Sequence, residues 1–575
     1  MKQKGSAIRL LVWVGLLIVE MSKSLATEIR YDITGIDGDV KGNVRYFLDS
    51  LPDYKPENFK RFQPYVRETI QKAMQALGYY SASVKLVMQD AHEVMVHIKS
   101  GRPVKLDSIY VAIDGMAKSD PAFQHYMSSL PLSSGDLVNH EKYEEIKKKL
   151  CQLGQDHGYF DARFIRHRLV IDPENYRGSV DILFDSGSRY RFGKIKYTHL
   201  SPGLQRLIRP LVDFREGDFY DINCLNQLTQ RLSATGYFRS IDIYPLKDEA
   251  SDAVIPLHIG LRTRQAHELE LGVGLSTDEG LHTRLDWKKP LINDKGHSMT
   301  ARVGVSEIKQ ELSASYKIPI DNPLQRYYVV ETAYERLNQK DTDSKLLRTS
   351  FHKMRIQPEG WDRDLFFSVE YESYEQGIQQ DKSLLLLPGI SLSRRVTDGR
   401  YDPDQGYYQL IKLQASSKQW GSNADFIQLS GRIKGLYTFA EKHRLIGRLE
   451  QGITWVDSLD VIPPSLRFFA GGNQSVRGYG YESISPKDSE GNLTGSKYLS
   501  VVSAEYSYTF RPKWRAALFV DTGTATNDYH ESWKVGTGFG LRWVSPIGQV
   551  RLDLAFAMSE EGHPWRIHFG IGPEI

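Results

Sequence analysis

The second half of the chain alternates apolar and polar residues with a period of two, starting at about residue 266. In the segment 268–275 the odd positions are apolar: Leu269, Leu271, Val273 and Leu275. The even positions are acidic residues or glycines: Glu268, Glu270, Gly272 and Gly274. The pattern recurs in 501–510, 534–543 and 549–556. Such two-faced segments of about ten residues are typical of membrane-spanning strands, which place aliphatic side chains in lipid and polar ones in a wet lumen. About sixteen segments fit between 266 and 575, which predicts a 16-stranded antiparallel transmembrane β-barrel.

A soluble β-sandwich with one buried face is the alternative interpretation of this alternation. Two features of the chain argue against it. The alternation continues through 266–575 and leaves little material for a second layer. Each sheet of a sandwich also has two edges to protect, whereas a closed barrel has none.

The first half of the chain shows helical periodicity and repeats. Three phrases recur at spacings of 80 and 78 residues: Gly78-Tyr79-Tyr80, Gly158-Tyr159-Phe160 and Gly236-Tyr237-Phe238. Each follows an amphipathic helical stripe and precedes strand-like segments, so each glycine is predicted to end a helix. We therefore predict three α+β modules of the order β-α-α-β-β at 27–102, 103–190 and 191–265. Their edge strands could bind an extended partner by strand addition.

The N-terminus has the features of an export signal. Three basic residues precede an uncharged run at 10–19, and a small-residue cleavage motif ends at Ala26, so 1–26 is predicted to be a signal peptide. No later apolar run is long enough for a transmembrane helix. Cys151 and Cys224 lie in different segments, and we expect buried thiols rather than a disulfide.

The composition of the chain adds little to these predictions. The formal net charge of +3 gives no electrostatic reason to expect nucleic-acid binding. The mean hydropathy of −0.43 alone would indicate a soluble protein, but averaging over a period of two conceals the lipid-facing residues.

A long connection at about 457–497 carries the most specific motif. It contains the glycine-rich stretch 468–481, which presents Arg477. Glu505 and Asp521 lie on polar faces of the strands that follow, so Arg477 can bind both carboxylates and fix the loop to the barrel wall.

Four motifs resemble the BamA/TamA outer-membrane assembly superfamily, and the modules resemble its POTRA domains. The motifs are the loop Val476-Arg477-Gly478-Tyr479, the strand 519–523, the turn Asp398…Asp402-Pro403…Gly406 and the hairpin Ser545-Pro546…Arg551…Asp553. The resemblance covers the whole chain after the signal, and three modules resemble the TamA branch. It implies that the loop motif forms a lumenal lock with Asp521 and Glu505.

The resemblance also implies a cellular setting. It places the barrel in a Gram-negative outer membrane, in contact with its lipid, and the POTRA modules in the periplasm. The implied partners are a TamB-like protein anchored in the inner membrane and unfolded outer-membrane clients such as autotransporters.

The barrel is expected to close where its first strand pairs with its last, at about 566–572. Gly570, Gly572 and Pro573 weaken the last strand, because proline cannot donate to the ladder. We expect this closing seam to open sideways for a client strand; its predicted residues are Leu269, Leu271, Gly272, Val273, Gly570 and Gly572. The chain ends in isoleucine, whereas many such barrels end in an aromatic residue.

Other classes of protein remain as alternatives. The chain has no Gly-x-Ser-x-Gly, His-Glu-x-x-His or P-loop motif, so no catalysis, cofactor or metal is expected. A lumenal lipase site, a diffusion porin and a secretion transporter for one dedicated exoprotein are the rival interpretations.

Overall fold

The computed structural model describes residues 29–52, 56–90, 93–399, 402–528, 532–546 and 548–571. The predicted signal peptide and Gly572 lie outside them. The chain divides into two compact units. The first contains the first two modules with Phe214–Asn226 and Pro245–Leu257, and the second contains Ile195–Asp213, Gln227–Tyr244 and the segment from His258 onward.

The N-terminal half is built from three modules, each with two helices and three strands. The first consists of β1 (Arg30–Thr34), α1 (Gly38–Asp49), α2 (Phe59–Ala76), β2 (Ser83–Met88) and β3 (Glu93–Lys99). The second consists of β4 (Lys105–Asp114), α3 (Pro121–Met127), α4 (His140–Asp156), β5 (Arg163–Asp172) and β6 (Arg177–Asp185). The third consists of β7 (Arg191–Thr198), α5 (Pro202–Ile208), α6 (Ile222–Ala234), β8 (Phe238–Pro245) and β9 (Val254–Thr263).

The three modules share one topology, in which the last strand lies at the centre of the sheet. The orders are β1-β3-β2, β4-β6-β5 and β7-β9-β8. In the first two modules the first strand pairs parallel to the last, and the middle strand pairs antiparallel. Gly78, Gly158 and Gly236 all have positive φ just beyond a helix, as the sequence predicted.

The C-terminal half forms one sheet of sixteen strands, β10 to β25, each hydrogen-bonded antiparallel to the next in chain order. Their bounds are Glu268–Ser276, Gly280–Lys289, Ser298–Val305, Lys309–Pro319, Arg326–Gln339, Thr342–Arg355, Asp362–Gln376, Gln379–Thr397, Gln405–Ser416, Phe426–Phe439, His443–Trp455, Tyr498–Arg511, Trp514–Thr526, Lys534–Ser545, Gly548–Ala557 and Trp565–Ile571.

Side chains alternate across this sheet in the sense that a membrane barrel requires. On β22, Leu518 and Val520 are 62% and 52% exposed on the outer face, while Phe519 and Asp521 are buried within. The predicted fold class, POTRA-like α+β modules followed by a 16-stranded transmembrane barrel, is confirmed. Within the part of the chain that the structure describes, no helix is long and apolar enough to span a bilayer.

The cysteines differ in part from the expectation. Cys151 and Cys224 do not form a disulfide, but neither thiol is buried as expected: Cys151 is exposed and Cys224 is partly exposed. The helix α4 buries Tyr143, Ile146 and Leu150, so position 151 falls on its solvent face.

Candidate functional site: the lumenal lock and the closing seam

The connection between β20 and β21 folds back into the barrel and packs against the inner wall. It contributes Ala470, Val476, Tyr479 and Ile484 to a buried apolar cluster, whose wall members are Leu499, Val501, Ala525 and Ala557. The Tyr479 hydroxyl donates to the carbonyl of Val535 at 3.2 Å. The loop is therefore an internal element of the barrel.

Arg477 is the centre of the lumenal lock. Its Nε and Nη2 donate to the two carboxylate oxygens of Asp521 at 2.7 and 3.0 Å, and its backbone N–H donates to Asp521 Oδ2 at 3.1 Å. Its Nη1 donates to Glu505 Oε2 at 2.8 Å. The structure thus places Arg477, Glu505 and Asp521 in direct contact, with Asp521 fully buried. A bidentate guanidinium–carboxylate pair fixes orientation as well as position.

Two further charged residues complete the network. Asp553 on β24 accepts from Arg477 Nη1 at 3.2 Å. Arg542 on β23 donates to both oxygens of Glu505, at 3.0 and 2.9 Å, and also to Asp553. Two guanidinium groups thus share three carboxylates, and no member is left as an isolated buried charge. Removing one partner from such a network leaves the others uncompensated, which is strongly destabilising.

Sequence reasoning did not include Arg542 and Asp553 in this network. Both lie on the polar faces of their alternating segments, and that signal identifies them as lumenal. Alternation does not specify which lumenal residues meet across the ring. The guanidinium of Arg477 also lies 3.5 Å above the ring of Phe519, a cation–π contact inside the predicted strand motif.

The inner face of β23 lacks side-chain volume where the loop approaches. A Cβ on Gly536 would lie 1.8 Å from the carbonyl oxygen of Arg477, and a Cβ on Gly540 would lie 1.8 Å from an oxygen of Asp553. A Cβ on Gly538 would lie 2.6 Å from the ring of Phe519. We call Gly536, Gly538 and Gly540 the glycine row. Its absent side chains leave the space that the lock occupies.

The turn between β17 and β18, also a predicted motif, is held by a second ionic cluster. Asp402 accepts from Arg444 Nη1 at 2.9 Å and from Arg515 Nη1 at 3.2 Å. Arg444 is fully buried and also donates to the carbonyl of Pro403. This cluster fixes the turn to two wall strands, β20 through Arg444 and β22 through Arg515.

The closing seam is held by few bonds. The Thr277 N–H donates to the carbonyl of Phe569 at 3.2 Å, and the Phe569 N–H donates to Thr277 Oγ1 at 3.3 Å. Among the described residues no ladder joins β10 to β25, whereas β24 and β25 pair at seven positions. Leu269, Leu271 and Val273 are 67 to 75% exposed on β10.

The seam register differs from a direct pairing of the two predicted glycines. Extending the antiparallel Thr277–Phe569 contact by one residue places Ser276 opposite Gly570. On the sides away from the seam, Gly272 pairs with Arg284 of β11, and Gly570 pairs with Arg551 of β24. Gly272 and Gly570 therefore lie on the two sides of the seam without facing each other.

No group of three or more His, Cys, Asp or Glu within the described ranges is arranged to hold a metal ion. The arrangement instead combines a rigidly held internal loop with a weakly bonded edge. These features define an outer-membrane β-barrel with periplasmic POTRA modules.

The family comparisons agree with this class. Residues 265–575 match the Omp85 superfamily domain, which covers more than half of the chain, so the chain belongs to the Omp85 superfamily. Residues 30–100 match the POTRA domain TamA domain 1.

Curated relatives are similar over longer stretches. The outer membrane protein assembly factor BamA of Nitratidesulfovibrio vulgaris is 24% identical over 62% of this chain and 48% of its own length. BamA of Neorickettsia risticii is 21% identical over 67% of this chain and 55% of its own. The chain thus spans about half the length of these two relatives. A crystal structure of BamA from Haemophilus ducreyi lacking POTRA domains 1–3 covers 81% of this chain and 99% of its own, with 16% identity and a TM-score of 0.65, which supports the fold.

Proposed function

We propose that the protein is an outer-membrane assembly factor of the TamA type, which inserts or secretes β-barrel-type clients such as autotransporters by opening its closing seam sideways. One observation carries this proposal: the edge of β10 that faces away from β11 has no ladder partner among the described residues. An exposed strand edge is a template for another strand. A client strand added there would enter the membrane with its backbone hydrogen bonds satisfied.

The proposal includes a partner for the modules. The match of the first module to a TamA POTRA domain and the presence of three modules support a TamB-like partner. In the first module β2 is an edge strand, and Val87 and Met88 near its end are 38% and 42% exposed. A photocrosslinker at Val87 should capture this partner in the periplasm. The same probe at Lys72, on the exposed side of α2, is the control.

The seam mechanism can be tested by a tether. Leu275 and Ile571 are 50% and 43% exposed, and extending the Thr277–Phe569 contact by two residues in the antiparallel sense brings them opposite each other. The double variant Leu275→Cys/Ile571→Cys, with both native cysteines replaced by serine, should close the seam by a disulfide. We expect client assembly to stop in oxidised cells and to recover on reduction.

A matched tether controls for the crosslink itself. Leu271 on β10 and Leu285 on β11 are paired residues that both face outward. Leu271→Cys/Leu285→Cys should form a disulfide and leave assembly unchanged. Assembly that continues with the seam fully tethered would refute lateral opening.

The same cells separate the rival functions. Loss of one secreted protein, with other outer-membrane proteins unaffected, would favour a transporter for a dedicated exoprotein. Ion conductance in planar bilayers that is unchanged by the seam tether would favour a porin. The absence of catalysis stays a prediction, to be tested by lipid hydrolysis with the purified full chain.

A further inference from the structure

Asn473, in the lumenal loop, contacts both sides of the closing seam. Its backbone N–H donates to Asp278 Oδ2 at 2.8 Å, in the turn that follows β10. Its side-chain amide donates to the carbonyl of Phe569 on β25 at 3.4 Å. The residue itself is buried, with 9% of its surface exposed.

The seam is shaped to accept this side chain. A Cβ on Gly570 would lie 2.6 Å from Asn473 Nδ2, so glycine at this position leaves room for the amide. The Phe569 carbonyl that Asn473 binds is the same one that accepts from the Thr277 N–H. Two contacts made by Asn473 therefore supplement the two direct bonds between Thr277 and Phe569.

The loop segment around Asn473 is held by hydrogen bonds and leads directly into the lumenal lock. Ser475 N–H donates to the carbonyl of Gly472 at 3.1 Å, and Arg448 of β20 donates to the carbonyls of Gln474 and Ser475. Four residues after Asn473, Arg477 makes the ionic contacts of the lock. The Gly478 N–H donates to His568 Nε2 on β25 at 2.9 Å. The lock and the seam are thus joined by one short, bonded stretch of chain.

We propose that Asn473 is a positioning residue for the seam: it holds the Asp278 turn and the Phe569 strand together and couples the lumenal lock to seam opening. The proposal deepens the proposed function, and rests on it for the purpose of opening. Displacement of the loop would remove both Asn473 contacts and leave the two direct bonds between Thr277 and Phe569.

Spin labels can measure this coupling without any client. Labels at Leu275→Cys and Ile571→Cys, with both native cysteines replaced by serine, report the seam width of the full chain in lipid nanodiscs. In Asn473→Ala, the ratio of long to short distances should rise roughly fivefold, the change expected from losing one net hydrogen bond. Gln474→Ala is the matched control, because Gln474 is an exposed neighbouring amide, and it should leave the distances unchanged.

A second substitution separates bonding from packing. Asn473→Asp keeps the size and the backbone N–H but replaces the amide donor with an acceptor that repels the Phe569 carbonyl. It should open the seam at least as far as Asn473→Ala. A wild-type seam width in Asn473→Asp, or in Asn473→Ala with the fold retained on gels, would overturn the proposed positioning role of Asn473.

Coupling to the lock is tested by a double-mutant cycle. If the lock acts on the seam through Asn473, then Arg477→Lys and Asn473→Ala should widen the seam non-additively. Additive widening would overturn the coupling. Because these distances are measured without clients, a narrow seam in the Asn473 variants refutes this inference alone, whereas normal assembly with a tethered seam refutes the proposed function.

Discussion

The lumenal lock and the closing seam belong to one sixteen-stranded sheet and are stabilised in opposite ways. At the lock, Arg477 joins a loop to three strands through buried, charge-assisted bonds. At the seam, the hydrogen bonds that the described residues make directly between the first-strand turn and the last strand are those of the Thr277–Phe569 pair. The loop is thus fixed to the inner wall by several buried ionic contacts, whereas one edge of the sheet is only weakly bonded.

Removal of a lock carboxylate should lower the unfolding free energy of the barrel more than any other change considered. Asp521→Ala removes three bonds to Arg477 and leaves its guanidinium undercompensated, so the barrel should lose about 3–5 kcal/mol of unfolding free energy. Urea unfolding in detergent measures this. Asp343→Ala, which removes a carboxylate of β15 that has no ion pair among the described residues, should cost under about 1 kcal/mol. Equal losses of unfolding free energy in the two variants would show that the lock carboxylate contributes no more to stability than the wall carboxylate of Asp343.

A smaller effect is expected from filling the glycine row. In Gly536→Ala the new Cβ would meet the Arg477 carbonyl, so the loop must shift, at a cost of about 1–3 kcal/mol. Gly447 is a strand glycine with nothing within 4 Å of its would-be Cβ, so Gly447→Ala is the matched control and should be close to neutral. The measurement is again urea unfolding. A neutral Gly536→Ala would contradict the close approach of loop and wall.

Weakening the seam should change the seam width without changing the stability of the whole barrel. Thr277→Ala removes the acceptor for the Phe569 N–H, a net loss of about 1 kcal/mol at the seam. Spin labels at Leu275 and Ile571 should show a wider seam, while the urea midpoint stays constant. Thr283→Ala, on β11, should change neither quantity. A lower urea midpoint in Thr277→Ala would show that the seam contributes to the global fold.

The smallest effect is expected at a buried tyrosine–carboxylate pair outside the barrel, Tyr159 and Asp120. Asp120 in the second module accepts from the Tyr159 hydroxyl at 3.0 Å and forms an ion pair with Arg189, whose Nη1 lies 3.3 Å from Asp120 Oδ2. Burial, together with the bond to Asp120, raises the pKa of Tyr159 to about 12. The unfolded pKa is about 10, so this contribution to stability is complete below pH 10 and is lost as the pH rises through 12.

Alkaline titration of the full chain checks this pH dependence. The modules should lose stability between pH 10 and 12, and Tyr159→Phe should reduce the slope. Titration of Tyr159 near pH 10, observed as a tyrosinate difference between wild type and Tyr159→Phe, would contradict it. Such a tyrosine-dependent loss would distinguish the module site from the lock, whose five charged groups are arginines and carboxylates.

The fold was largely predictable because both halves repeat a simple period. Alternation from residue 266 predicted the barrel, and the glycine-ended helical stripes predicted the modules. The contacts of Arg477 with Glu505 and Asp521 followed from the residues that face the lumen. Arg542 and Asp553 face the same way, but their meeting depends on the stagger between strands, which the sequence pattern does not contain.

The seam was predicted less completely for a related reason. That the first and last strands meet follows from closure, but their register depends on barrel stagger. The Thr277–Phe569 contact sets a register in which Gly272 and Gly570 do not face each other. The role of Asn473 could not be found from periodicity. It lies in an irregular loop, and its contacts with Asp278 and Phe569 span 195 and 96 residues of sequence.

The glycine row also sets an order of events during folding. The space that receives the Arg477 carbonyl exists only after β22, β23 and β24 have paired, although the loop precedes all three in the chain. Contacts across 44 and 76 residues, to Asp521 and Asp553, must therefore form late. Burial of Arg477 therefore depends on the pairing of β22, β23 and β24, and it distinguishes a barrel in which these strands have assembled from one in which they have not.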